Sequence, residues 1–294
     1  MSYNTLIIGA GNKGALSDAP GTGNEHKYLS YAHAVKEHEG FELMGFADRY
    51  STASNKAVDI WGSRCFCAPE EYCEECEEHF YHETDVFIIA TPDNCHYEAL
   101  KAIEDIKPKL VICEKPLCTN LQQAREIVEL YRQKNIPILV DYTRRFIPEW
   151  RKHKAAIDSG EYGKLITAYG RFNDSYMNPD MPAEEKRRMA WFHTGSHMVD
   201  TALWLTGSAD FDFQYVPSHY KWLYQWMFCF EKSHVSETVG DFTKEKVNTI
   251  YDPHLMYVVE NAYQFLEGKE PLLCTGEDAL KTLEECYKLM EGAK

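Results

Sequence analysis

Apolar residues along this chain gather in short runs separated by longer amphipathic stretches. Thr5-Leu6-Ile7-Ile8 stops at Gly9, and Phe41 to Ala47 is closed by Asp48. Val86-Phe87-Ile88-Ile89, Leu110-Val111-Ile112-Cys113 and Pro137 to Val140 follow, the last ending at Asp141. Short apolar runs bounded by turn or charged residues predict buried strands. Between them the clearest helix spans Leu121 to Lys134, with Ala124, Ile127, Val128 and Tyr131 on one face. Thr119 or Asn120 would cap it. Strand alternating with helix predicts a parallel sheet with right-handed crossovers.

Beyond residue 143 the pattern changes. Leu165 to Phe172 reads as a strand, and Trp222, Tyr224, Trp226, Phe228 and Phe230 alternate strictly, so one strand face is aromatic. A core face is the default for such a stripe, with sugar stacking or an oligomer interface as the alternatives. Helices at 254–267 and 277–290 would close this part of the chain. The expected fold class is α/β. Residues 1–142 would form a first domain on the parallel sheet, and 143–294 a second, α+β domain.

Composition narrows the function. The 294 residues suffice for two cores, and 44% hydrophobic with 26% charged residues marks a globular chain. A formal net charge of −15 argues against nucleic-acid and anionic-membrane partners. No apolar run approaches a membrane span. Met1-Ser2-Tyr3-Asn4 lacks the basic start of a signal peptide. A cytoplasmic protein whose ten cysteines stay reduced is the expectation.

Gly9-Ala10-Gly11-Asn12-Lys13-Gly14 follows the first strand and matches G-x-G-x-x-G, whose amides can cradle a pyrophosphate. The acid ending the second strand, Asp48, suits the ribose hydroxyls of NAD, while Arg49 beside it keeps NADP open. Asp48 comes 34 residues after Gly14, where about 20 is usual. The excess falls in Ala15 to Tyr28, rich in loop formers, as either a lid or pocket wall or a surface insertion. Lys115, between Glu114 and Pro116 after the fourth run, would project into the crevice where open α/β sheets bind ligands.

Taken in order, the glycine loop, Asp48, Thr91-Pro92-Asp93-Asn94-Cys95-His96, Glu114-Lys115-Pro116, Arg145-Phe146 and Gly195-Ser196-His197-x-x-Asp200 resemble the Gfo/Idh/MocA oxidoreductases. The resemblance covers residues 3 to about 207 and returns at Gly268-Lys269-Glu270-Pro271 and Gly276-Glu277-Asp278-Ala279. It implies an enzyme with a Rossmann dinucleotide-binding domain at 1–142 and, at 143–294, an α+β substrate and oligomerisation domain whose open, mainly antiparallel sheet is shortened. Such an enzyme moves a hydride between nicotinamide and the secondary alcohol or ketone of a sugar, nucleotide-linked sugar or cyclitol. By position His197 would be the acid/base, since a histidine titrates near neutrality. Lys115 would stabilise charge on the substrate oxygen. Asp200 would hold His197 or a substrate hydroxyl. Arg145 would meet substrate or phosphate, or else form a salt bridge between the domains. Thr91, Pro92, His96 and Glu114 would flank the cofactor with Asn12 and Lys13.

One departure stands out. The family often carries an aspartate four residues before the histidine, and here that position is His193. A substrate-contacting or relay histidine is expected there, not a metal ligand, because no third ligand accompanies the pair. Cys65, Cys67, Cys73 and Cys76, with His79 and His82, were weighed as a zinc site, but their spacing fits no usual pattern and no metal is expected. The family also implies self-association, so a homo-oligomer is expected. The alternative to an enzyme is a non-catalytic dinucleotide-binding scaffold or redox-sensing regulator.

Overall fold

The computed structural model describes residues 2–25, 27–66, 81–173, 182, 190–207, 223–242, 245–246 and 254–292. The chain divides into two compact units. Met1–Phe146 with Asp252–Leu280 makes the first, and Ile147–Tyr251 with Lys281–Lys294 the second.

The first unit is built on a six-stranded sheet, β1 (Tyr3–Ile8), β2 (Phe41–Ala47), β3 (Arg64–Phe66), β4 (Val86–Ile89), β5 (Leu110–Cys113) and β6 (Ile138–Val140). Its order is β3-β2-β1-β4-β5-β6, and every pairing is parallel. β4 and β5 are buried along their whole length, which is why they read as unbroken apolar runs. The strand order reverses between β1 and β4, the place where such sheets open a ligand crevice at their carboxyl ends.

The crossover helices are α1 (Tyr31–Glu37), α2 (Ser51–Trp61), α3 (His96–Ile103) and α4 (Leu121–Lys134). α4 has the expected bounds. Asn120 caps it, accepting from the Gln122 and Gln123 amides, and Ala124, Ile127, Val128 and Tyr131 are its buried residues.

The chain returns to the first unit at α7 (His254–Leu266), before α8 (Gly276–Gly292). Tyr3 Oη donates to the Leu266 carbonyl, and Leu255, Val258, Val259 and Ala262 are buried. Thr275 forms a single antiparallel bridge to Leu139, and the Val140 amide donates to the Cys274 carbonyl, so this segment covers the edge of β6. By packing, then, 252–280 belongs with the first sheet, whereas the border drawn on the sequence at 142/143 left it in the second domain.

The second unit carries α5 (Pro148–Asp158), α6 (Ser196–Thr206) and a four-stranded antiparallel sheet. That sheet has the order β10-β9-β8-β7, from β7 (Leu165–Asn173), β8 (Leu223–Phe230), β9 (His234–Phe242) and β10 (Glu245–Lys246). At the end of β8, Phe228 and Phe230 are buried, so the aromatic stripe is core there. Trp222 and the side chains of Tyr224 and Trp226 lie outside the described residues, as do Cys67, Cys73, Cys76 and His79. Met227 faces the other way and is 40% exposed, opposite Tyr169 at 48%.

Candidate functional site

The glycine loop leaves β1 at Gly9, whose φ of 100° puts it in the left-handed region. A Cβ at Gly9 would lie 2.6 Å from the Ala90 backbone, and one at Gly14 would lie 1.8 Å from the Gly9 carbonyl oxygen. These two glycines are demanded by the protein's own packing. Gly11 is different, because a Cβ there would meet no heavy atom within 4 Å. Nothing among the described residues requires a glycine at that position, and the close approach of a ligand would be a reason for one. Asp48 is tied to the same loop. Its Oδ2 accepts from the Ala10 amide at 2.8 Å and its Oδ1 from the Tyr50 amide at 2.8 Å, while Arg49 is exposed. These residues fit a nicotinamide dinucleotide.

The long spacing to Asp48 has a structural cause. One π-type turn, Asn12–Leu16, follows the loop, and the crossover helix resumes only at Tyr31. The insertion interrupts the first helix. It is closed by Asp18, 1% exposed, which accepts from the Leu29 amide at 2.5 Å, from Ser30 Oγ at 2.5 Å and lies 2.8 Å from His33 Nδ1. Tyr28 and His33 pack ring to ring at 4.4 Å, and Trp61 Nε1 donates to the Ala15 carbonyl. The segment is stapled at its base, which is the geometry of a pocket wall or fixed insertion and not of a hinged lid.

At the end of β5 the Glu114 amide donates to the Ile89 carbonyl, and Lys115 precedes Pro116 through a cis peptide bond. Burial lowers the Lys115 pKa, Glu114 opposes that most strongly, and Lys13 adds to the lowering while Asp93 and Asp141 resist it. Glu114 is 7% exposed and its Oε1 has no hydrogen-bond partner among the described residues; the Thr91 Oγ1 is likewise buried without one among them. Orphaned buried polar atoms at the carboxyl ends of β4 and β5 suit a polar ligand in the crevice. Pro92 is exposed. His96 is buried between two carbonyls, with Nδ1 2.7 Å from Pro116 O and Nε2 3.0 Å from Thr91 O. It joins the loops after β4 and β5, and burial lowers its pKa against the pull of those carbonyls.

Three residues of this cluster, His254, Asp141 and Tyr31, carry no motif and escape sequence reasoning. Lys13 Nζ lies 3.2 Å from His254 Nε2, at the start of α7. Asp141, 1% exposed at the end of β6, accepts from Tyr31 Oη at 3.2 Å and from Thr143 Oγ1 at 3.1 Å. Burial, then Glu114, pushes the Asp141 carboxyl up to about 7. Burial pushes Tyr31 well above its usual range. The only sequence sign was that a buried run ends on an acid. Arg145, 6% exposed in the turn Thr143–Arg145, lies 3.3 Å from Asp278 and donates to the Leu273 carbonyl. This ion pair lies within the first unit and is not the bridge between domains that the sequence left open.

His193, His197 and Asp200 stand in the second unit. His193 is exposed in the π-type segment Ala190–Gly195, and the α-helix begins only at Ser196. The four-residue step from His193 to His197 therefore does not run along one regular α-helix. His197 is partly exposed. Asp200 is 1% exposed and accepts from Thr282 Oγ1 at 3.1 Å.

Both parts of the chain match known protein families. A family described as "Oxidoreductase family, NAD-binding Rossmann fold" matches residues 3–142, and the "GFO/IDH/MocA C-terminal domain" matches 150–210. Inositol 2-dehydrogenase 2 of Saccharopolyspora erythraea is 29% identical over 157 residues, 53% of this chain and 43% of that protein. The match thus spans less than half the length of that curated relative. The fold is shared with the WlbA dehydrogenase of Bordetella pertussis, solved with NADH and UDP-GlcNAcA. That structure has a TM-score of 0.71 at 15% identity, with 99% of this chain and 96% of that one covered. It is shared too with scyllo-inositol dehydrogenase of Lactobacillus casei, solved with NAD(H) and scyllo-inositol. There the TM-score is 0.71 at 12% identity, with coverage of 100% and 97%. Among the described residues no helix is long and apolar enough to cross a membrane. The chain belongs to the Gfo/Idh/MocA oxidoreductase family, with an NAD-binding Rossmann domain at its amino-terminal side.

Proposed function

We propose that this protein is an NAD(P)-dependent dehydrogenase or reductase acting on a secondary alcohol or ketone of a sugar, nucleotide-linked sugar or cyclitol. The observation that carries the reading is Gly11, a loop glycine that the protein's own packing does not need. It opens the loop beside Asp48 toward the crevice that β5 ends in with Lys115. The matched relatives support the substrate class: one is named an inositol dehydrogenase, and one was solved with scyllo-inositol.

The bound dinucleotide supplies the hydride acceptor or donor. The chain's residues do the rest. Asp48 offers carboxylate lone pairs to a ribose diol, which favours NAD, and Arg49 is the group a 2′-phosphate would use. Lys115, as an ammonium, stabilises negative charge developing on the substrate oxygen. His197 takes the hydroxyl proton during oxidation and returns it during reduction. His193 contacts substrate or relays a proton, where an aspartate is common in the family. The exposed Ile166, Tyr169 and Met227 on the second sheet support self-association.

The test is an absorbance screen of cyclitols, sugars and UDP-sugars with NAD and NADP. Turnover should fall by about 10²-fold or more in Lys115→Met and His197→Ala, with NADH affinity retained in His197→Ala. If both variants keep wild-type turnover, the assigned roles are wrong. Tight NADH binding without turnover on any of these substrates would point to the scaffold instead.

A further inference from the structure

A fully buried acid that no role above uses ends β6, the strand paired with the one that leads to Lys115. Asp141 is 1% exposed, and an unsolvated carboxyl is costly unless its surroundings are organised for it. They are organised here. Tyr31 Oη reaches one oxygen at 3.2 Å and Thr143 Oγ1 the other at 3.1 Å. The two donors come from different elements, α1 and the turn after β6, so the chain has folded two separate segments onto one carboxyl. The Asp141 amide donates to the Cys113 carbonyl, two residues before Lys115, so β6 delivers the acid level with the end of β5.

We propose that Asp141, anchored by Tyr31 and Thr143, is a positioning residue that holds Lys115 in its charged form at the end of β5. The proposal rests on the role given to Lys115 above.

The charges facing this pair come from every neighbouring element. Glu114 and Cys113 lie on β5, Asp93 follows β4, Lys13 follows the glycine loop, and Tyr31 stands on α1. His254 on α7 faces Lys13. Burial works to neutralise Lys115, and Lys13 works the same way, while Glu114, Asp93 and Asp141 oppose them. Glu114 and Asp93 set two negative charges against the two ammoniums. Asp141 adds a third, and it does so only once it has lost its proton, which burial and Glu114 delay to about 7. Tyr31 favours the ionised form of Asp141 by donating to it, and its own high pKa keeps it a donor throughout. A lysine that must stabilise an oxyanion is thereby biased toward its cationic form, against the pull of burial.

The experiment reads Lys115 without needing turnover. The full chain is pulsed with limiting acetic anhydride from about pH 6 to about 11, and modification of Lys115 is followed by peptide mass spectrometry. In Asp141→Asn the labelling midpoint of Lys115 should fall by about one pH unit, with the midpoints of exposed lysines unchanged. Tyr31→Phe should move it the same way by less. Where thermal melting shows that Asp141→Asn does not fold, Asp141→Ser takes its place. A Lys115 midpoint unmoved in a folded Asp141 variant overturns the proposal. Wild-type turnover in Lys115→Met overturns only the catalytic role of Lys115 and leaves the labelling result standing.

Discussion

Replacing Asp141 by asparagine should stabilise the protein, and more so at higher pH. The native carboxyl titrates near 7 against an ordinary value of 3.8, raised first by burial and then by Glu114. Because the native value is the higher one, the folded protein keeps a proton that the unfolded chain releases between those two pH values. Stability is therefore full below the unfolded value and is lost as pH climbs toward 7. Across that interval the ceiling is about 4 kcal/mol. At pH 5 less than half of it has been lost, and at pH 8 nearly all. Asparagine does not titrate, and the cost of refitting its amide against Tyr31 and Thr143 is the same at both pH values. Urea unfolding of wild type and variant at pH 5 and pH 8 isolates the ionisation. The stability difference should move in the variant's favour by about 2–3 kcal/mol from the lower to the higher pH. A difference that stays constant would mean that Asp141 is ionised in the native state throughout, and the reasoning from burial would fail.

The other predictions concern the cofactor loop. Gly11→Ala should fold and melt like wild type, since its Cβ meets nothing within 4 Å, yet bind NADH about 10-fold more weakly by fluorescence titration. Gly14→Ala, with a Cβ placed 1.8 Å from the Gly9 oxygen, should lose the native fold by circular dichroism. Wild-type NADH affinity in Gly11→Ala would remove the loop from the cofactor site. Asp48→Ser should shift the NADP-to-NAD ratio of kcat/KM upward by about 10-fold or more, since the carboxylate no longer repels a 2′-phosphate. Asp18→Ala removes the acceptor for Leu29, Ser30 and His33. It should cost about 3 kcal/mol and open the 19–28 segment to limited proteolysis, whereas protease resistance equal to wild type would show that the staple does not hold the insertion.

Much of the first unit could be read directly from the chain. β2, β4, β5 and α4 have the bounds that the apolar runs and periodicity imply, and β4 and β5 are the plainest because strands buried on both faces have no polar face to blur them. The glycine loop and Asp48 were legible for a different reason. Their backbone geometry admits few residue types, so the sequence must spell it out. The insertion could be seen only as excess length. That it splits the first crossover helix, and that Asp18 closes it, depends on hydrogen bonds among Asp18, Leu29, Ser30 and His33, which leave no periodic trace.

What the sequence by itself determined was local: which segments are strands, where the loop that suits a dinucleotide lies, and which lysine ends a buried strand. Only the tertiary structure decided what comes to those places from far along the chain. An amphipathic helix such as α7 advertises an apolar face but not the sheet it will cover, so its return to the first unit, with His254 set against Lys13, could not be read from its pattern. Asp141 and Tyr31 make the same point, since 110 residues separate them and nothing in either neighbourhood names the other. Burial made their pairing necessary, and burial is a property of the packed molecule.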